Sequence, residues 1–292
     1  MTPINKKLSY FPGCSLATTA KENSASLKSF LAHFDIEVSE IDDWNCCGSS
    51  STHSINKSLA LSLGARNLFL APEKTPMLIA CPGCYLRLSL AKMELNDSEE
   101  KQKTYETLFD KPYQKDIQLL HFFELLVQMS HEGLLKGIGG KLKGLKIAPY
   151  YGCMLARPPK MNKQKNHYGL IEKTMASLGG EPVQWPFLST CCGTFLSVSR
   201  PEIASALVNR IMKGAIASGA ECIVTACAMC HLNLEIRCRP ENQLPVFHFS
   251  ELLSLTLEGN GSKDWFKRHL IDPQSLMEKR QLIPCQTQAK GK

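Results

Sequence analysis

The chain repeats itself, and the repeat constrains its fold more than any other feature. Lys7–Cys14 reads KLSYFPGC and Lys146–Cys153 reads KIAPYYGC, each an apolar run that ends in Gly-Cys. Cys46-Cys47-Gly48 is matched by Cys191-Cys192-Gly193, and MLIACPGC at Met77–Cys84 by CIVTACAMC at Cys222–Cys230. HFFELL from His121 is matched by HFSELL from His248. Matched cysteines are offset by 139, 145 and 146 residues, a near-constant period that means a duplicated unit.

Each copy has the same coarse order. Helix-period apolar positions mark residues 19–34, 55–70 and 85–95 in the first copy and 166–178, 201–218 and 230–237 in the second. Short apolar runs near Leu8, Ile36 and Met77, then near Ile147, Val183 and Ile223, alternate with them. Pro201 suits a first helical turn, where a missing N–H costs nothing. The expected fold is α/β: two pseudo-symmetric cysteine-rich domains, each a small, mostly parallel sheet flanked by helices with right-handed crossovers. The domains are expected at 1–140 and 141–292. Five of the 19 glycines lie in EGLLKGIGGKLKG, residues 132–144, which reads as a linker. Leu142 stands where a dinucleotide fingerprint would need its third glycine.

Composition removes several classes. With 43% hydrophobic and 21% charged residues, the chain is neither disordered nor fibrous. The formal charge of +7 counts every cysteine as neutral, so it shrinks if thiols ionise on metals. Lys and Arg are scattered without an aromatic-interleaved stripe, so no nucleic-acid partner is expected. No signal-peptide pattern opens the sequence, and the apolar stretch at 59–71 is broken by Arg66 and Asn67, so no membrane span is expected. Thirteen cysteines, an odd number with two adjacent pairs, fit metal ligation or redox chemistry better than a disulfide framework. The expected compartment is the reducing cytoplasm.

In parallel α/β sheets ligands gather at the carboxyl ends of strands. Cys14, Cys46, Cys47, Cys81 and Cys84 in one copy, and Cys153, Cys191, Cys192, Cys227 and Cys230 in the other, follow apolar runs at such ends. A structural zinc wants four ligands in a closed tetrahedron, which five cysteines overfill. Iron–sulfur clusters accommodate five thiolates more readily, because several irons share them. Spacing alone leaves both metals open.

The ten cysteines, with 31 residues between Cys14 and Cys46, 33 between Cys47 and Cys81, 37 between Cys153 and Cys191, and 34 between Cys192 and Cys227, resemble the CCG cysteine-rich domain in tandem. The length and Tyr150-Tyr151-Gly152-Cys153 with Arg157-Pro158 are similar to heterodisulfide reductase B subunits. The second Cys-x-x-Cys departs from the first by carrying Ala228-Met229 in place of Pro-Gly, which changes loop stiffness and removes no ligand. The resemblance covers residues 8–255. It implies a noncubane [4Fe–4S] cluster on each set of five cysteines, a substrate disulfide such as CoM-S-S-CoB bound between the two, and capture of one sulfur by each. It also implies two partners: a ferredoxin-like C-type subunit with cubane clusters and a flavin-containing A-type subunit. A disulfide takes two electrons and a cluster delivers one at a time, so a duplicated cluster domain suits the reaction.

Other residues admit plainer readings. Cys227-Ala-Met-Cys230-His231 matches a haem attachment motif, but haem attachment needs an exported chain and Tyr85 replaces His231 in the first copy. His231 then reads as a helix residue able to donate a hydrogen bond near the cluster. His121 and His248 read as packing or capping residues in preference to proton donors. Cys222, Cys238 and Cys285 lack counterparts and read as ordinary thiols. The amphipathic stretch 264–283 fits either a partner-docking face or this chain's own core. Lys163–Lys173 reads as a solvated face rather than a guide for an anionic disulfide.

Three functions fit these residues. The first is the catalytic iron–sulfur subunit of a heterodisulfide reductase-type complex. The second is an iron–sulfur electron-transfer subunit of a lactate- or glycolate-type oxidation system. The third is a scaffold with structural zinc in one or both halves.

Overall fold

A computed structural model describes residues 4–49, 51–156, 167–257 and 263–283. Its eight described strands form two four-stranded sheets of identical, all-parallel topology. The first contains β1 (Lys7–Phe11), β2 (Glu37–Glu40), β3 (Met77–Ile79) and β4 (Leu119–His121) in the order β2-β1-β3-β4. The second contains β5 (Lys146–Tyr150), β6 (Glu181–Pro182), β7 (Cys222–Thr225) and β8 (Val246–His248) in the order β6-β5-β7-β8. Register repeats as well: Ser9 pairs with Met77 and Ile79 with His121 in one sheet, and Ile147 with Cys222 and Thr225 with His248 in the other. The duplication read from cysteine offsets is therefore a duplication of topology.

Central strands covered on both faces must be apolar throughout. β3 and β7 are buried at every residue, and β1 and β5 at all but their first lysine. β2 lies at the end of its sheet and carries Glu37 and Glu40, charges that discourage further strand pairing there.

The helix Pro201–Ala217 shows how sequence sets an element. Proline opens it, and Ala204, Val208, Ile211, Met212 and Ala215 place one buried stripe on the second sheet. Each large side chain in that stripe contributes about 1.5–3 kcal/mol of burial. Gly219, at φ +75°, reverses the chain, and the Ala220 N–H returns to the Ala215 carbonyl at 3.1 Å.

The chain divides into two compact units. One holds β1–β4; the other holds β5–β8 and the C-terminal segment, and also takes Glu22–Phe30, most of the helix Lys21–Ala32. Within this second unit the Ser26 and Ser250 hydroxyls meet at 2.8 Å, and the Ser250 hydroxyl reaches the Asn23 carbonyl at 3.2 Å. The sequence repeat breaks near residue 140, whereas the main break between packing units follows Leu134. The glycine-rich stretch after it is packed: Leu142 is buried, and the Gly140 and Leu142 N–H groups donate to the Leu178 carbonyl at 3.1 Å.

Residues 264–283 supply core as well. Phe266, Ile271, Met277 and Ile283 are buried, and the Arg280 guanidinium pairs with Glu221. Of Lys163–Lys173, residues 163–166 lie outside the described residues, and Lys173 is exposed.

Candidate metal centres

In each sheet the strand order reverses between the first and third strands, and their carboxyl ends open onto the crevice where doubly wound folds bind ligands. In the first unit Cys14 follows β1, Cys46 and Cys47 follow β2, and Cys81 and Cys84 follow β3. The Cys46 and Cys14 sulfurs are 3.6 Å apart, and those of Cys47 and Cys84 are 3.2 Å apart. Cys81 precedes the helix Pro82–Asn96, and its sulfur accepts from the Gly83 and Cys84 N–H groups of the first turn, where the helix dipole favours a thiolate.

The second unit repeats the arrangement. Cys153 follows β5, Cys191 and Cys192 follow β6, and Cys227 and Cys230 bracket the start of the helix Ala228–Arg237. Cys192 and Cys230 sulfurs are 3.5 Å apart, and the Gly193 N–H points at the Cys191 sulfur at 3.4 Å. In both sets the vicinal pair splits in the same way: Cys46 and Cys191 are exposed, while Cys47 and Cys192 are buried.

Shared protons set the acidity within each set. Hydrogen bonds from Cys14 and Cys47 hold Cys46 down to about 2, and Cys47, whose proton Cys46 holds, is pushed up to about 12. Its contact with Cys84 and the helix N–H groups bring the buried Cys81 down to about 7. In the second set the Cys153 thiol lowers Cys191 to about 6, and Cys230 lowers Cys192. Sulfurs this close cannot all ionise without a cation among them.

The residues fit a polynuclear iron–sulfur group. Five soft donors converge in each unit, and each cradle is too tight for a larger residue beside it. A Cβ on Gly13 would lie 2.6 Å from the Cys84 sulfur, and one on Gly152 would lie 3.1 Å from that of Cys230. Both glycines have positive φ, +69° and +63°, so the Gly-Cys ending of the first strand is required by backbone and by space.

The remaining candidates are placed differently. His121 caps the helix Phe122–His131: Glu124 accepts the His121 backbone N–H at 3.0 Å, and the imidazole Nδ1 accepts that of Phe123 at 3.2 Å. His248 stands equivalently, with Glu251 accepting its backbone N–H at 2.8 Å and Ser250 on its Nδ1 at 2.6 Å. His231 does not turn to a cysteine sulfur; its ring nitrogens face Asn23 and Glu235. Cys222 is buried within β7, Cys238 is half-buried, and Cys285 lies outside the described residues. Sequence reading missed the buried carboxylates Glu235 and Glu251 with His269; the His231–Glu235 spacing, one helical turn, was a local signal for Glu235 alone.

Two parallel sheets, each followed at its strand ends by five cysteines, define a class of tandem cysteine-rich domains. The profile of the cysteine-rich domain named CCG matches residues 8–89 and 147–235, and the chain belongs to this family with two tandem copies. It is 28% identical over 284 residues, 94% of this chain and all of the relative, to the membrane anchor subunit of 8-methylmenaquinol:fumarate reductase from Wolinella succinogenes. It is also 28% identical, over 86% of this chain and 89% of the relative, to the B subunit of the ferredoxin/F420H2-dependent CoB–CoM heterodisulfide reductase from Methanosarcina acetivorans. A hypothetical protein from Helicobacter pylori shares the fold at TM-score 0.68 and 14% identity; the match covers 93% of this chain, which spans 53% of that structure. Among the described residues no helix is long and apolar enough to cross a membrane.

Proposed function

We propose that the protein is the iron–sulfur subunit of a heterodisulfide reductase-type complex. The carrying observation is the five-cysteine set repeated at equivalent strand ends in both units, with Cys47–Cys84 and Cys192–Cys230 as matching sulfur contacts. Cys14, Cys46, Cys47, Cys81 and Cys84 hold one four-iron cluster, and Cys153, Cys191, Cys192, Cys227 and Cys230 hold the other. When bound, the clusters supply one-electron reduction and iron sites for sulfur.

The reaction takes a substrate disulfide, two electrons and two protons to two thiols, with the S–S bond as the bond broken. The chain carries no nucleotide or flavin motif, so the electrons come from partners: a ferredoxin-like subunit fed by a flavin-containing one. The residues of this chain hold the metal and order its environment. Gly13 and Gly152 let the backbone pass beside a ligand sulfur, and the N–H groups of Gly83, Cys84 and Gly193 stabilise sulfur charge.

The full-length similarity to a fumarate reductase subunit favours a second reading, in which the same clusters relay electrons within an organic-acid redox system and cleave no disulfide. Viologen-driven consumption of CoM-S-S-CoB by the anaerobically purified complex separates the two. Turnover that Cys47→Ser and Cys192→Ser each abolish, with loss of about half the iron, supports the reductase. Full cluster content and no turnover of any tested disulfide supports the relay.

A further inference from the structure

Behind the second cysteine set lies a buried group of imidazoles and carboxylates that cluster ligation does not use. His231 and Glu235 sit one turn apart on the helix that carries Cys230, Glu251 lies in the first turn after β8, and His269 comes from the C-terminal segment. Their side chains are 3%, 3%, 0% and 0% exposed. His269 bridges the carboxylates, with Nδ1 3.2 Å from Glu235 Oε1 and Nε2 2.8 Å from Glu251 Oε1. His231 Nε2 lies 3.5 Å from Glu235 Oε1 and makes no hydrogen bond. One donor atom each from His231, Glu251 and His269 lies within 4.8 Å of the other two.

We infer that His231, His269 and Glu251 form a divalent metal site, of the two-histidine, one-carboxylate type that takes zinc with a fourth position left for water. Three observations carry it. Two carboxylates and two imidazoles are buried together; a dication between neutral imidazoles balances Glu235 and Glu251. The Glu22 carboxyl lies in the same field and is pushed up by burial.

The outer contacts, secondly, are those that orient ligands. Glu235 Oε1 stands ready to accept the His269 Nδ1–H, while its Oε2 takes the Leu270 N–H at 2.9 Å. Glu251 Oε2 is occupied by the His248 N–H, which leaves Oε1 for the metal. The Asn23 amide is 3.2 Å from His231 Nδ1, and its own oxygen is buried without a partner. Half a turn of that amide brings the oxygen onto the Nδ1–H, which satisfies it and leaves the Nε2 lone pair facing the site.

Thirdly, the first copy shows what this location holds when no metal is needed. There Tyr85 replaces His231 and donates its hydroxyl to Glu124, the counterpart of Glu251, at 3.2 Å. Ser89 stands where Glu235 does, and His269 belongs to a segment beyond the repeat. The second copy has exchanged a phenol–carboxylate pair for a complete donor set. A nitrogen and oxygen set of this kind favours zinc over ferrous iron in affinity, and is distinct from thiolate sites. The ion would tie the C-terminal segment to the helix that positions Cys230.

The test is the zinc K-edge absorption spectrum of the full chain, purified anaerobically from zinc-supplemented medium, with iron and sulfide measured on the same sample. The expected result is about one zinc per chain with nitrogen and oxygen neighbours at about 2.0–2.1 Å, lost in His269→Gln and in His231→Gln while iron and sulfide remain. No zinc, zinc whose neighbours are only sulfur at about 2.3 Å, or zinc retained unchanged in both variants overturns the inference. The wild-type spectrum decides by itself if the variants fail to fold. Because iron and sulfide report separately on the cysteines, loss of the cluster assignment leaves this result readable.

Discussion

Gly13→Ala tests the cradle of the first cysteine set with one methyl group. Two costs follow from the structure. The φ of +69° costs an alanine about 1–2 kcal/mol. The new Cβ would also lie 2.6 Å from the Cys84 sulfur, where ordinary van der Waals contact is about 3.5–4.0 Å. Something must move by about 1 Å, against the ±0.2 Å or so that metal–ligand distances tolerate. The sulfur has little room to withdraw, since Cys84 is buried against Cys47 at 3.2 Å. Gly137→Ala separates the two costs: its φ is +85°, but its Cβ would meet nothing within 4 Å. Gly152→Ala falls between, at 3.1 Å from the Cys230 sulfur. Iron and sulfide per chain after anaerobic purification, with chemical denaturation alongside, form the assay. Gly13→Ala should lose about half of its iron, Gly152→Ala less, and Gly137→Ala none, with only the 1–2 kcal/mol backbone cost. Wild-type iron and sulfide in Gly13→Ala would refute the assignment of Cys84 as a ligand held in a tight cradle.

Two further predictions concern the C-terminal segment. Met277→Ala removes a fully buried side chain and should cost about 2–5 kcal/mol in denaturation of the isolated chain; an unchanged midpoint would mean that this segment serves a partner and not its own core. Burial raises the Glu221 carboxyl, but the Lys146 N–H and the Arg280 guanidinium outweigh it and leave the group lowered. A lowered folded-state pKa gives stability that is present above about 4.5 and lost as pH falls through the folded value. The advantage of wild type over Glu221→Gln, about 1 kcal/mol at pH 7, should therefore shrink in more acid solution, and an advantage constant down to pH 3 would contradict the pairing.

How far the sequence speaks depends on the range of each signal. The cysteine motifs, their strand-end positions and the parallel topology were legible because each is written within a few residues: an apolar run, a Gly-Cys ending, a proline at the first helical turn. The two capping histidines were legible for the same reason, since His121 with Glu124 and His248 with Glu251 each span three residues. What escaped was assembled over distance. Helix Lys21–Ala32 follows β1 in sequence, yet most of it packs with the second unit, where Asn23 reaches His231 across 208 residues. The helix buries Glu22, Asn23 and Ser26 along with Leu27 and Phe30, and nothing local says which unit those residues will join. His269 is equally silent, a lone histidine until Glu235 and Glu251 are brought to its two nitrogens. The two copies then part company in a physically interpretable way. Both keep five sulfurs at the strand ends, while the second has a buried shell of imidazoles and carboxylates around its helix and the first has a tyrosine. If cluster ligation alone governed these residues, the two shells would have little reason to differ. The two shells differ around matching cysteines, and a cation bound at His231, Glu251 and His269 would account for that difference where carbon packing does not.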